Sequence, residues 1–130
     1  MSYVAIARVR TEHAARYLQQ VCKHWSHNLD VTYDEQQGRI VFPRDARGAD
    51  WPADAVVTLT AAPDTLECRV EASAPGQRDG LKGALERHID RFAFREAPIG
   101  YEWRAQARIG STSIIAARLT RSAWARAATR

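Results

Sequence analysis

Apolar positions recur every second residue in "YVAIARVR" at residues 3–10, with Arg8 and Arg10 together on one side. β-Branched residues at that period predict a strand. The period then changes: Ala14, Tyr17, Leu18, Val21, Cys22 and Trp25 share one face at 3.6 residues per turn, which predicts a helix ending near residues 26–28. Thr11 precedes it and is the expected N-cap, since a short hydroxyl can accept from an early helical N–H. Alternation returns in "LDVTYD", where Leu29, Val31 and Tyr33 share a face. The turn "EQQG" and the strand "RIVFP" complete a hairpin expected to close at Gly38. "RDARGADWPAD" reads as a polar loop, and "AVVTLTA" and "LECRVEAS" as two strands joined by "APDT".

In the last of these, Leu66, Cys68, Val70 and Ala72 alternate with Glu67, Arg69, Glu71 and Ser73. Such alternation marks a sheet covered on one face. A second helix is expected from about Gln77 to Phe94, with Leu81, Leu85, His88, Ile89 and Phe92 inward; Pro98 disfavours its continuation. "YEWRAQ" alternates Tyr101, Trp103 and Ala105 and predicts a short final strand. The order β-α-β-β-β-β-α-β predicts an α+β two-layer sandwich, a mainly antiparallel sheet with two long helices on one face.

The chain has 130 residues, of which 45% are hydrophobic and 26% charged, which suits one globular domain. The net charge of +4 is unevenly spread. Residues 1–107 carry 14 Lys and Arg against 15 Asp and Glu, whereas residues 108–130 carry five Arg and no acid. The expected division is a single α+β domain over 1–107 and a basic extension over 108–130. The near-neutral body lacks the diffuse basic field that nucleic-acid binding needs. In the extension, Ile115, Leu119 and Ala123 fall at steps of four among good helix formers, so a partly helical tail is expected from near Ser113. Its basic face suits an anionic surface. No apolar run approaches the ~20 residues that span a bilayer. The first thirteen residues lack the apolar core of a signal peptide. Cys22 and Cys68 are therefore expected to be unbridged, and the protein cytoplasmic.

"RYLQQVCKHWSHNL" gathers Tyr17, Cys22, Lys23, His24, Trp25 and His27. On a helix Cys22 and His24 diverge, so they form no chelating pair. His24 and His27, at i and i+3, can share a metal but lack the third and fourth ligands of a zinc site. There is no C-x-x-C, H-E-x-x-H, G-x-S-x-G or glycine-rich phosphate loop, and no cofactor or resident metal is expected. His88 is expected at the core edge, held by a backbone carbonyl, with Arg91 and Arg95 beside it and Asp90 outward. Glu96 is expected in an ion pair beside Arg95. His24 and His88 are expected to meet between the helices. The candidate ligand pocket is Tyr17, His24, Trp25, His88, Arg91 and Arg95, with Phe92, Phe94 and Trp103 as further lining.

The same stretch, followed by "GRIVFP" and "HIDRFAFREAPIGYEW", closely resembles the bacterial domain-of-unknown-function 2218 family over residues 4–105. Matching positions are Tyr17, Cys22, Lys23, His24, Trp25, His27, His88, Arg91, Phe92, Arg95 and Glu96. The resemblance implies a small cytoplasmic α+β domain. It also implies an accessory role in iron acquisition, beside siderophore-interacting flavin reductase-like proteins. It supplies no catalytic residues, and residues 108–130 match none of its motifs. Three functional readings stand: a non-enzymatic binding or accessory domain, whose partner is a siderophore-interacting protein or a small ligand; a small enzyme using His24 and His88 as acid and base; and a structural or interaction domain.

Overall fold

A computed structural model of the chain describes residues 2–96 and 99–106. The expected tail helix from Ser113 and the extension over 108–130 lie outside the described residues. Six strands form one antiparallel sheet in the order β2-β3-β4-β5-β1-β6. They are β1 (Tyr3–Arg10), β2 (Asp30–Tyr33), β3 (Gln37–Phe42), β4 (Ala55–Ala62), β5 (Thr65–Ala72) and β6 (Arg104–Gln106). Helices α1 (Ala14–Trp25) and α2 (Pro75–Phe92) interrupt them in the expected order.

Both helices cover the same face. Helix α1 lies over β2, β3 and β4, and α2 over β5 and β1. Register aligns the covered positions into rows: Ile40, Val57, Val70 and Ala5 in one, Gly38, Leu59, Cys68 and Ala7 in the next. From above, Leu18, Val21, Cys22, Leu85 and Ile89 reach these rows with no exposed surface. The opposite face carries Arg8, Glu67, Arg69 and Glu71, with an Arg69–Glu71 ion pair at 3.1 Å.

Several local expectations change. Helix α1 begins at Ala14, with His13 in the cap position and no side-chain cap. Thr11 Oγ1 instead accepts from His13 N–H at 3.0 Å, forming a turn one step earlier. Helix α2 runs Pro75–Phe92, shifted toward the N-terminus because proline, with φ preset and no N–H to lose, suits the first helical turn. Gly38 does not close the first hairpin. Asp34 does, accepting the N–H groups of Gln36 and Gln37 at 2.8 and 2.9 Å. Gly38 is buried within β3, where a Cβ would stand 2.5 Å from Cys22 Sγ. Its missing side chain lets α1 approach the sheet. The last strand covers only Arg104–Gln106, pairing with Val4–Ile6 of β1. Before it, Tyr101 and Trp103 turn onto α2. Tyr101 OH donates to Asp90 at 2.9 Å, and Trp103 Nε1–H to Glu86 at 2.6 Å. Asp90 is thus engaged rather than outward.

Candidate functional site at the helix pair

The apolar stripe of α1 places Leu18, Val21 and Trp25 toward the sheet and leaves His24 exposed at its flank. On α2, Leu85 and Ile89 are buried, and His88 between them is half-buried. The helices run antiparallel: Tyr17 early in α1 meets Glu96 just past α2, while His24 and Trp25 late in α1 meet His88 inside α2. This crossing brings two histidines 64 positions apart in the sequence together. The ring centres of His24 and His88 are 5.0 Å apart. The indole of Trp25 lies 4.5 Å from His88, centre to centre, and Phe92 lies edge-on 6.3 Å from His24.

His88 has a defined tautomer. Its Nδ1 is 2.7 Å from the Ala84 carbonyl oxygen, one helical turn earlier. A carbonyl only accepts, so Nδ1 carries the proton and Nε2 holds the free lone pair. Burial, opposed in part by that bond, lowers the pKa of His88; the charges of His24, Arg91 and Arg87 lower it further. The ring is therefore held neutral at neutral pH. His24 is exposed, and among the described residues no hydrogen bond engages its ring.

Of the expected pocket, His24, Trp25 and His88 come together, Phe92 joins them, and Arg91 lies close enough to act on His88 through its charge. Tyr17 does not belong to this group. It sits two turns back along α1, where its hydroxyl and Thr11 Oγ1 both donate to Glu96 Oε2, the latter at 3.0 Å. Burial and then the Glu96 carboxylate raise the pKa of Tyr17. Glu96 therefore ties the end of α2 to the start of α1, in place of the ion pair expected beside Arg95. Arg95 lies over Phe94, 5.6 Å from the ring centre, and Phe94 is 68% exposed. Trp103 packs by Lys82 and Glu86, away from the imidazoles.

A concave groove of about 430 Å³ lies elsewhere, lined by Arg8, Arg10, Glu96, Ile99, Gly100 and Glu102. Two arginines and two glutamates leave it without a dominant charge, and its walls carry no imidazole or indole. The histidine pair, by contrast, forms a surface patch. Sequence reasoning missed the Thr11–Tyr17–Glu96 cluster. Its signal was weak, because a carboxylate just past a helix does not say which element it will meet.

A small antiparallel sheet covered on one face by two helices defines the class of domain. The chain belongs to a family of that class: the model described as "Uncharacterized protein conserved in bacteria (DUF2218)" matches residues 6–104. The match ends within β6 and leaves out the extension. The fold is similar to the NMR structure of PA4090 from Pseudomonas aeruginosa, with a TM-score of 0.61 and 24% identity over 78% of this chain and 95% of that one. No curated protein matches the chain. Among the described residues, no helix is long and apolar enough to cross a membrane, and no three His, Cys, Asp or Glu cluster to hold a metal.

Proposed function

We propose that this protein is a non-enzymatic binding or accessory domain that takes a small ligand at the patch of His24, Trp25, His88 and Phe92. The observation that carries this is the approach of His24 and His88 to 5.0 Å beside the Trp25 indole. Rings of this kind supply flat apolar contact, and the imidazole nitrogens supply directed polar contact. Arg87 and Arg91 add positive charge beside His88, favouring an anionic ligand. The resemblance that links the family to siderophore-interacting proteins supports a place in iron handling in the cytoplasm. The charge segregation of residues 108–130 supports contact of the tail with an anionic surface.

The test is native mass spectrometry of the protein purified from its own host, alongside His88→Gln. A bound small mass on the parent that is missing from the variant supports the reading. Bare protein in both overturns it. The same closeness of the imidazoles also favours the acid–base reading, since proton relay requires groups within a hydrogen bond or one water. Saturable binding without turnover decides between the two.

A further inference from the structure

We propose that His24 and His88 form a two-imidazole site for a late first-row divalent metal ion, Zn²⁺ or Ni²⁺. This rests on the reading of the patch as a binding site and names its ligand class. The first support is distance. With a metal–nitrogen bond of about 2.1 Å, each ring centre sits roughly 3.2 Å from the ion, so two imidazoles bound at about 90 to 110° have centres roughly 4.6 to 5.2 Å apart. The observed separation is 5.0 Å, with the ring planes inclined by 52°.

The second support is the tautomer of His88. A metal-bound histidine commonly donates its other ring N–H to a carbonyl, which fixes the ring and directs the free lone pair. His88 already donates from Nδ1 to the Ala84 carbonyl at 2.7 Å, leaving Nε2 available. The Trp25 ring lies 4.5 Å from that of His88 and the Phe92 ring 6.3 Å from that of His24, centre to centre, so each imidazole has an aromatic neighbour. His24 is exposed, which leaves a path for the ion and for water.

The protein supplies two ligands, so water or an anion completes the coordination. Nitrogen donors without carboxylates select late first-row ions over Mg²⁺ or Ca²⁺. Arg87 and Arg91 oppose a bare cation and favour an anionic co-ligand, so the site is one for an exchangeable metal. The sequence offered His24 both His27 one turn on and His88 across the helices; the fold sets it against His88.

Tag-free full-length protein, freed of metal with chelator, is melted with ZnCl2, NiCl2 or MgCl2 at pH 7.5 and pH 5.5. At saturating Zn²⁺ or Ni²⁺ a rise of about 5 °C or more is expected at pH 7.5, none with Mg²⁺, and a much smaller one at pH 5.5, where imidazoles protonate. The rise should vanish in His24→Ala and in His88→Gln and persist in His27→Ala. His24 is exposed, so His24→Ala keeps the fold and gives a clean answer. Absence of the rise in the parent, or its survival in His88→Gln, overturns the assignment. Its loss in His27→Ala with survival in His88→Gln places the ion at the C-terminal end of α1, away from α2, and also overturns it. Titration with added ions is independent of what the host-purified protein carries. A metal-free ligand found there, with no metal response, removes the metal and leaves the binding domain standing.

Discussion

Leu85 and His88 lie one turn apart on α2 and answer to different physics. Leu85 is completely buried over the sheet. Leu85→Ala removes that contact and leaves a cavity, and should cost about 2–5 kcal/mol in a urea melt. His88 is governed by proton linkage. Its folded pKa lies below the ordinary imidazole value of about 6.5, chiefly because burial disfavours the charged ring. Between the folded and unfolded values the unfolded chain binds more protons, so stability rises with pH there. The contribution of His88 is thus complete above about pH 6.5 and declines as the pH falls through the folded value. Urea midpoints in chelator at pH 7.5 and 5.5 should show the parent losing more stability on acidification than His88→Gln. Equal losses would mean that His88 is as easily protonated folded as unfolded.

Between elements, two contacts set how α1 sits. One is the absence of a side chain at Gly38, where a Cβ would stand 2.5 Å from Cys22 Sγ and 3.3 Å from the Tyr33 Cβ. Gly38→Ala must push α1 outward and is expected to destabilise by about 1–3 kcal/mol. Cys22→Ala in the same chain removes the nearest atom, so the double variant should recover part of that loss, as a double-mutant cycle would show. The other contact is Glu96, which accepts from both Thr11 and Tyr17. Glu96→Ala leaves two donors without their acceptor and should lower stability by about 1–3 kcal/mol. Tyr17→Phe in the Glu96→Ala background should then add little beyond the lost packing at its ring edge. These contacts were hidden in the sequence for different reasons. Gly38 stands beside a turn and reads as a turn residue, and Glu96 stands beside Arg95 and reads as its partner. In each case the deciding neighbour belongs to another element.

Across the whole molecule, both thiols lie in the shared interior. Cys22 and Cys68 have no exposed surface and are unbridged. Burial pushes the Cys22 thiol up to about 12, and burial followed by the Glu67 charge raises Cys68. A thiolate is the reactive form, so neither residue should react with a thiol reagent in native buffer. Both should be labelled together in denaturant, and the native labelling rate should follow global unfolding, because each sits against both layers of the sandwich. Fast labelling of one cysteine alone would show that its side of the sandwich opens by itself.

Periodicity was enough to determine the order of elements, the covered face of the sheet and most of the core. Tyr17, Leu18, Val21, Trp25, Leu85 and Ile89 are buried as their spacing required; Phe92 is only partly so. The reason is that a 3.6-residue or 2-residue repeat of apolar side chains has one economical way to leave water. The capture of His88 by a backbone carbonyl was legible too, since a half-buried imidazole needs a partner and its own helix offers one. The meeting of His24 and His88 was expected from their helix faces and is observed. What the helix crossing alone decided is where the other distant residues go: it sent Tyr17 to Glu96, and Tyr101 and Trp103 turn onto α2. Spacing along one chain fixes a side chain's direction from its own axis, whereas the neighbour it reaches depends on the packing of two axes over a sheet, for which no local repeat exists.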